Sequence, residues 1–363
     1  MSDNPRMTVF IRAHAAYLKY FSRGMSNRML KPTTLLMILT FTAFDVGAQS
    51  PKSDIDGLEK HLNQKMVGPE AVQVIKRHLL ESGTSEPLDE LVTWAKEGFP
   101  DLHDEHGIWK TEALALRLGV VWSIHYYFST SPPDNKSQSY LKILSELQRD
   151  DYMSYQLTGM ASSVVDEAVL EAEVLKLLDD KDARLRSQGV MMGAALAKQK
   201  RSLFERYIQM VKTDDNAQVR VTILYSLGSW RSKEVAYIGL ERLVNDSDPD
   251  VRDWGARVLR GSAQFRVLTE EDLPAILAPM IKTSTPFVRI SLGRVAARLT
   301  TGRSLWIQED KITDELLAGF IQRTRLSESE AGVSPSEEEL AKLWLEWWTP
   351  LIPKYARRIQ LVR

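Results

Sequence analysis

Apolar residues recur at helical spacing along most of this chain. "DEAVLEAEVLKLL", "SLFERYIQMVK", "KEVAYIGLERLV" and "EDLPAILAPMIK" each carry them on one face. Each segment is followed by a short polar heptapeptide and a second apolar-patterned stretch. The four heptapeptides fall into register: "DKDARLR" (180–186), "DDNAQVR" (214–220), "DSDPDVR" (246–252) and "TSTPFVR" (283–289). Their final arginines are Arg186, Arg220, Arg252 and Arg289, spaced by 34, 32 and 37 residues. The repeating unit is therefore helix, turn, helix.

Each column has a physical reading. Asp182, Asn216, Asp248 and Thr285 can accept hydrogen bonds from the free N–H groups of a starting helix, which predicts four N-caps. Ala183, Ala217, Pro249 and Pro286 follow, and Pro suits the first helical position. Leu185, Val219, Val251 and Val288 are apolar anchors. Gly189, Gly255, Ala256 and Gly293 are small where another helix must approach. One helix pair cannot bury its apolar face alone. Stacked neighbours can, which predicts an all-α solenoid.

These repeats resemble HEAT repeats of the short bacterial kind over residues 166–302. "DSDPDVRDWGARVL" is close to that family's second-helix pattern. The resemblance implies an armadillo-type superhelix with a ladder of turn acids and helix arginines. On that basis Asp180, Asp214 and Asp246 meet Arg186, Arg220 and Arg252. Arg289 has no acid in its own turn and reaches back to Asp246 or Asp250. The array as a whole is assigned to 134–325, after a helical region (49–133) that closes on the Ser/Pro-rich stretch "STSPPDNKSQS". Residues 137–163 read as a degenerate first repeat.

Residues 326–363 read as a cap. "LSESEAGVSPSEEEL" is a polar loop ending in a capping-box start at Ser336 and Glu339. A helix bearing Trp344, Trp347 and Trp348 closes the stack, as similar exported HEAT proteins do. Those tryptophans are the alternative partner-binding patch. Lys354, Arg357, Arg358 and Arg363 form a basic tail.

The leading residues change the picture of where the chain works. From Met25 a short basic region with Arg28 and Lys31 precedes an apolar core, Thr33–Phe44. Val46 and Ala48 are the small residues an export peptidase requires, so 25–48 reads as a signal peptide cut after Ala48. Residues 1–24 are then an upstream extension. The destination is the periplasm or the extracellular space. The chain has no cysteine, which excludes disulfides, thiolate metal sites and a lipid-anchor cysteine. Net charge is -1, and the aligned second helices carry little basic excess beyond the ladder arginines. Nucleic acid is therefore not an expected partner, and no cofactor is implied.

Two chemical motifs compete with the scaffold reading. Asp246, Asp248 and Asp250 alternate like a calcium loop, but Val251 replaces the required Gly and Arg257 the bidentate Glu. That leaves them as turn residues. "FPDLHDEHGIW" places His103, Asp104 and His106 where a Zn²⁺ or Mn²⁺ ion could be held. It is not the His-Glu-x-x-His helix of zinc proteases. The leading expectation is a non-enzymatic scaffold that binds a protein or peptide. A metal-dependent activity at His103/His106 is the alternative.

Overall fold

The structure, a computed structural model, describes residues 51–98, 111–130, 132–147, 151–302 and 305–358. The segments expected to be a signal peptide (25–48) and a metal loop (His103, Asp104, His106) lie outside them. The described chain is all-α apart from a two-stranded ribbon. None of its helices is long and apolar enough to cross a membrane. It divides into two compact units, one ending at Glu173 and one running from Val174 to Arg363. The division lies well beyond the boundary expected near residue 133.

The first unit holds α1 (Pro51–Gln64), α2 (Pro69–Ser82), α3 (Pro87–Glu97), α4 (Thr111–Thr130), α5 (Lys136–Glu146) and α6 (Asp151–Met160). Pro69 and Pro87 sit in the first turns of their helices, where the missing N–H costs nothing. Gly83 ends α2 in the left-handed conformation at φ 62°. The long apolar α4 packs against α1, α2, α3 and α6 and buries Val120, Val121, Ile124 and Phe128. The Ser/Pro-rich stretch is partly helical, because α4 continues to Thr130 and α5 starts at Lys136.

An aromatic corner joins α1 to α4. The His61 ring lies 5.3 Å from Tyr126 and 6.0 Å from Trp122, and Trp122 is 5.5 Å from His125. Lys65 Nζ stands 4.4 Å from the centre of the Trp122 ring. Burial, aided by the Lys65 cation, lowers the His61 pKa to about 4. Burial, then the nearby His61, lowers His125 to about 4 as well. Both rings are neutral in the folded protein at neutral pH.

The second unit starts within α7 (Glu167–Leu178). It continues through α8 (Ala183–Ala197), α9 (Arg201–Thr213), α10 (Ala217–Leu227), α11 (Lys233–Asn245), α12 (Pro249–Gln264), α13 (Leu273–Lys282) and α14 (Pro286–Thr300). The helices pair as α9 with α10, α11 with α12, and α13 with α14. The second helices also pack in succession: α8 on α10, α10 on α12, and α12 on α14. Glycine permits the closest of these approaches. A Cβ on Gly255 would stand 2.7 Å from the Gly239 carbonyl oxygen and 2.8 Å from Leu243 N. Those are backbone atoms, so α11 and α12 would have to move apart.

The chain ends in α15 (Asp314–Ala331), α16 (Glu337–Trp348), the single turn α17 (Ile352–Tyr355) and a ribbon of β1 (Leu305–Ile307) with β2 (Ala356–Arg358). The expected 326–340 loop is mostly helix. α15 runs to Ala331 and stops at Gly332, φ 70°. The capping box is present, with Ser336 and Glu339 each bonding the other's backbone N–H. Trp344 and Trp348 are fully buried, and their Nε1–H groups donate to Thr300 Oγ1 (3.1 Å) and Thr301 Oγ1 (3.2 Å). They are core residues, which overturns their reading as a partner patch. Trp347 is half-buried, 5.6 Å from Phe320 and 5.2 Å from Trp344, ring to ring.

The histidine corner makes stability depend on pH. The unfolded histidines bind protons near pH 6.5, whereas the folded ones resist them down to about 4. Their contribution is complete above pH 6.5 and is lost as pH falls toward 4. Denaturant midpoints should drop across that window, and the drop should shrink in His61→Gln/His125→Gln. A slope unchanged in the double variant would contradict the assignment.

Candidate functional site

The turns between paired helices bring the heptapeptide residues together. Asp182 accepts from Arg184 N (2.8 Å), Asn216 from Gln218 N (2.9 Å) and Asp248 from Asp250 N (2.9 Å). These are three of the four expected N-caps. Thr285 makes no such bond. Its own N–H instead donates to Thr283 Oγ1 at 3.2 Å.

The arginines form a ladder, but one unit out of step with the expected pairing. Arg186 grips Asp214 of the following turn through Nε and Nη2, both at 2.8 Å. Its Nη2 also reaches Asp215, while Nη1 donates to the backbone carbonyls of Asp180 and Lys181. Arg220 repeats the arrangement. Nε and Nη2 reach Asp246 at 3.0 and 2.9 Å, and Nη1 reaches the Asp214 carbonyl at 2.7 Å. Each guanidinium therefore ties its own turn by the backbone and the next turn by the side chain. Among the described residues no arginine side chain bonds the Asp180 carboxylate, which accepts from Asp182 N.

The other end departs further. Among the described residues Arg252 bonds only the carbonyls of Asp246 and Ser247, because Thr283 occupies the place of the next acid. Its Nε is buried without a hydrogen-bond partner. Arg289 does not reach back to Asp246 or Asp250. It reaches forward to both oxygens of Asp314, at 2.9 and 3.0 Å, and to the Thr283 carbonyl. Asp314 opens α15 and belongs to no heptapeptide, so no spacing in the sequence announces it.

The aspartate triplet is thereby explained. Asp246 is the ladder acid, held also by Arg242 at 3.4 Å, and Asp248 is the cap. Burial raises the Asp246 pKa, but hydrogen bonds from Arg220 and the Asp248 N–H outweigh it and hold it below the ordinary range. Asp214 is balanced the same way, between burial and its bonds from Arg186 and Asn216. Both carboxylates stay charged, as structural ion pairs require. Among the described residues, no group of three or more His, Asp or Glu side chains could hold a metal.

The second helices also have an outer face. Tyr225 of α10 meets Trp254 of α12 edge-on, with ring centres 5.3 Å apart. The Arg257 guanidinium lies over Trp254 at 4.9 Å and pairs with Asp253 at 2.7 Å. Five residues beyond the ladder arginines stand Met191, Tyr225, Arg257 and Arg294, all half-buried or exposed. This row combines aromatic surface with charge and is the candidate binding face. No protein-family model, curated protein or solved structure matches the chain.

Two outcomes test the ladder. Arg220 is 9% exposed, and Arg220→Ala strands a buried Asp246, with only Arg242 left to offset it. The loss should be about 2–4 kcal/mol by chemical denaturation, between exposed and buried pairs. Conversely, Thr283→Asp should supply the acid that Arg252 lacks. Thr283 has ψ 137°, close to the 138° of Asp246, so the new carboxylate starts from the same backbone. A gain of about 1 kcal/mol is expected, and its disappearance in Arg252→Ala would assign it to the new rung.

Proposed function

We propose that this chain is an exported, non-enzymatic scaffold of HEAT-like helix pairs stacked as a solenoid, binding another protein along the outer face of its second helices. The observation that carries the reading is the forward ladder. Arg186 and Arg220 each fasten one turn to the next, which fixes successive helix pairs in one register. The rungs align α8, α10 and α12 in this way, α14 follows by packing on α12, and Met191, Tyr225, Arg257 and Arg294 occupy equivalent positions in one row. Repeat proteins bind extended partners along such rows. Arg186 and Arg220 of the ladder are occupied by backbone and carboxylate partners.

Site-specific crosslinking tests the proposal. A photoreactive benzoylphenylalanine at position 225 should yield a discrete protein adduct in the producing cell, whereas the same group at Gln209, on a first helix, should not. Equal labelling from both positions, or none from 225, would contradict it. The export part is tested separately: expression from Met25 in a secreting host should give a mature N-terminus at Gln49.

A further inference from the structure

The second-helix face changes character toward its C-terminal end. Arg257 and Arg260 stand three apart on α12, and Arg294 and Arg298 four apart on α14, so each pair shares a helix face. Glu309 joins the two helices, pairing with Arg260 at 3.5 Å and also with Arg298. Arg298 in turn lies over the ring of Trp306, 5.0 Å from its centre. Trp306 is 51% exposed on β1 and faces Arg357 across the ribbon. These elements carry five arginines and two tryptophans along one strip, Arg257, Arg260, Arg294, Arg298 and Arg357 with Trp254 and Trp306. Two carboxylates, Asp253 and Glu309, pair with these arginines. The second helices carry little basic excess beyond the ladder arginines, as expected, except on α14, where Arg294 and Arg298 have no acid on their own helix.

Arg294 makes the excess specific. It is half-buried, and no carboxylate pairs with it among the described residues, so its charge is uncompensated.

We infer that this strip binds an acidic, apolar-containing polypeptide segment of a partner protein. The inference rests on the scaffold reading and names the chemistry of its partner. The carboxylates already on the strip show how its arginines are met: Asp253 on Arg257, and Glu309 between Arg260 and Arg298. Arg294, in the same row as Arg257 and one helical turn from Arg298, takes the next carboxylate. The exposed parts of Trp254 and Trp306 take apolar side chains. Nucleic acid fits less well, because Arg257 and Arg298 already cover one face of each tryptophan, where bases would stack. Stacking on the rings also holds these guanidinium groups in place, so less side-chain freedom is lost on binding.

Fluorescence anisotropy on the full chain tests this. The probe is a fluorescein-labelled peptide of Glu interspersed with Leu and Phe, in low salt. The comparisons are its Lys-for-Glu counterpart and a labelled oligothymidylate. The acidic peptide should bind most tightly, and Arg257→Glu/Arg294→Glu should weaken it by about tenfold or more. Arg294→Gln, which keeps the shape and removes the charge, should weaken it by about threefold or more. Arg323→Glu, on α15, should leave it unchanged. Equal binding of the basic peptide, tighter binding of the oligonucleotide, absence of binding, or indifference to both strip variants would overturn the inference. If that happens while the adduct at position 225 persists, only the acidic chemistry falls and the scaffold reading stands.

Discussion

The second unit depends on one interaction: an arginine that bonds the backbone of its own turn and the carboxylate of the next. Only a guanidinium does this, because its five N–H groups form a rigid fork that serves two acceptors at once. The aspartate is as constrained. Asp214 and Asp246 end a first helix, accept the N–H two residues on, and receive the rung from the preceding turn. One carboxylate thereby fixes a helix end, a turn and the neighbouring repeat. Where the acid is missing, at Thr283, the rung is missing too, and Arg252 keeps only carbonyl partners.

The ladder and caps take up most of the polar capacity at the turns, the Nε groups of Arg252 and Arg289 excepted. Small residues such as Gly255 set the distance between helices, and the apolar core running to Trp344 and Trp348 closes the far end. The exposed side of the second helices shares in this only at its C-terminal end, where Glu309 ties Arg260 of α12 to Arg298 of α14. Its composition can change along the array, from Met191 through Tyr225 to Arg257 and Arg294. The two units also respond to different pH windows. The His61/His125 corner loses its contribution between pH 6.5 and about 4. The ladder carboxylates, whose pKa values lie below their ordinary 3.8, lose theirs only in stronger acid.

Much of this was legible in the sequence because the heptapeptides repeat. Caps at Asp182, Asn216 and Asp248 follow from side-chain chemistry at a helix start. The pairing partner of each arginine did not follow, since register places equivalent residues in line but does not say which neighbour a long side chain reaches. Asp314 escaped because its turn lacks the heptapeptide, and the β1–β2 ribbon because three-residue strands leave no periodicity. The tryptophans were assigned the right place, yet a sequence cannot tell that Thr300 and Thr301 wait to accept from Trp344 and Trp348. The basic strip was missed because its arginines lie on different helices and a ribbon, and sum only once these pack together.

The forward ladder is tested most directly by double-mutant cycles on Arg220. Coupling with Asp246 should be about 1.5 kcal/mol or more, the value of a buried, bidentate pair. Coupling with the side chain of Asp214, which Arg220 meets only through the backbone carbonyl, should be within about 0.5 kcal/mol of zero. The opposite result, strong coupling to Asp214 and none to Asp246, would return the ladder to its own-turn pairing and contradict the account.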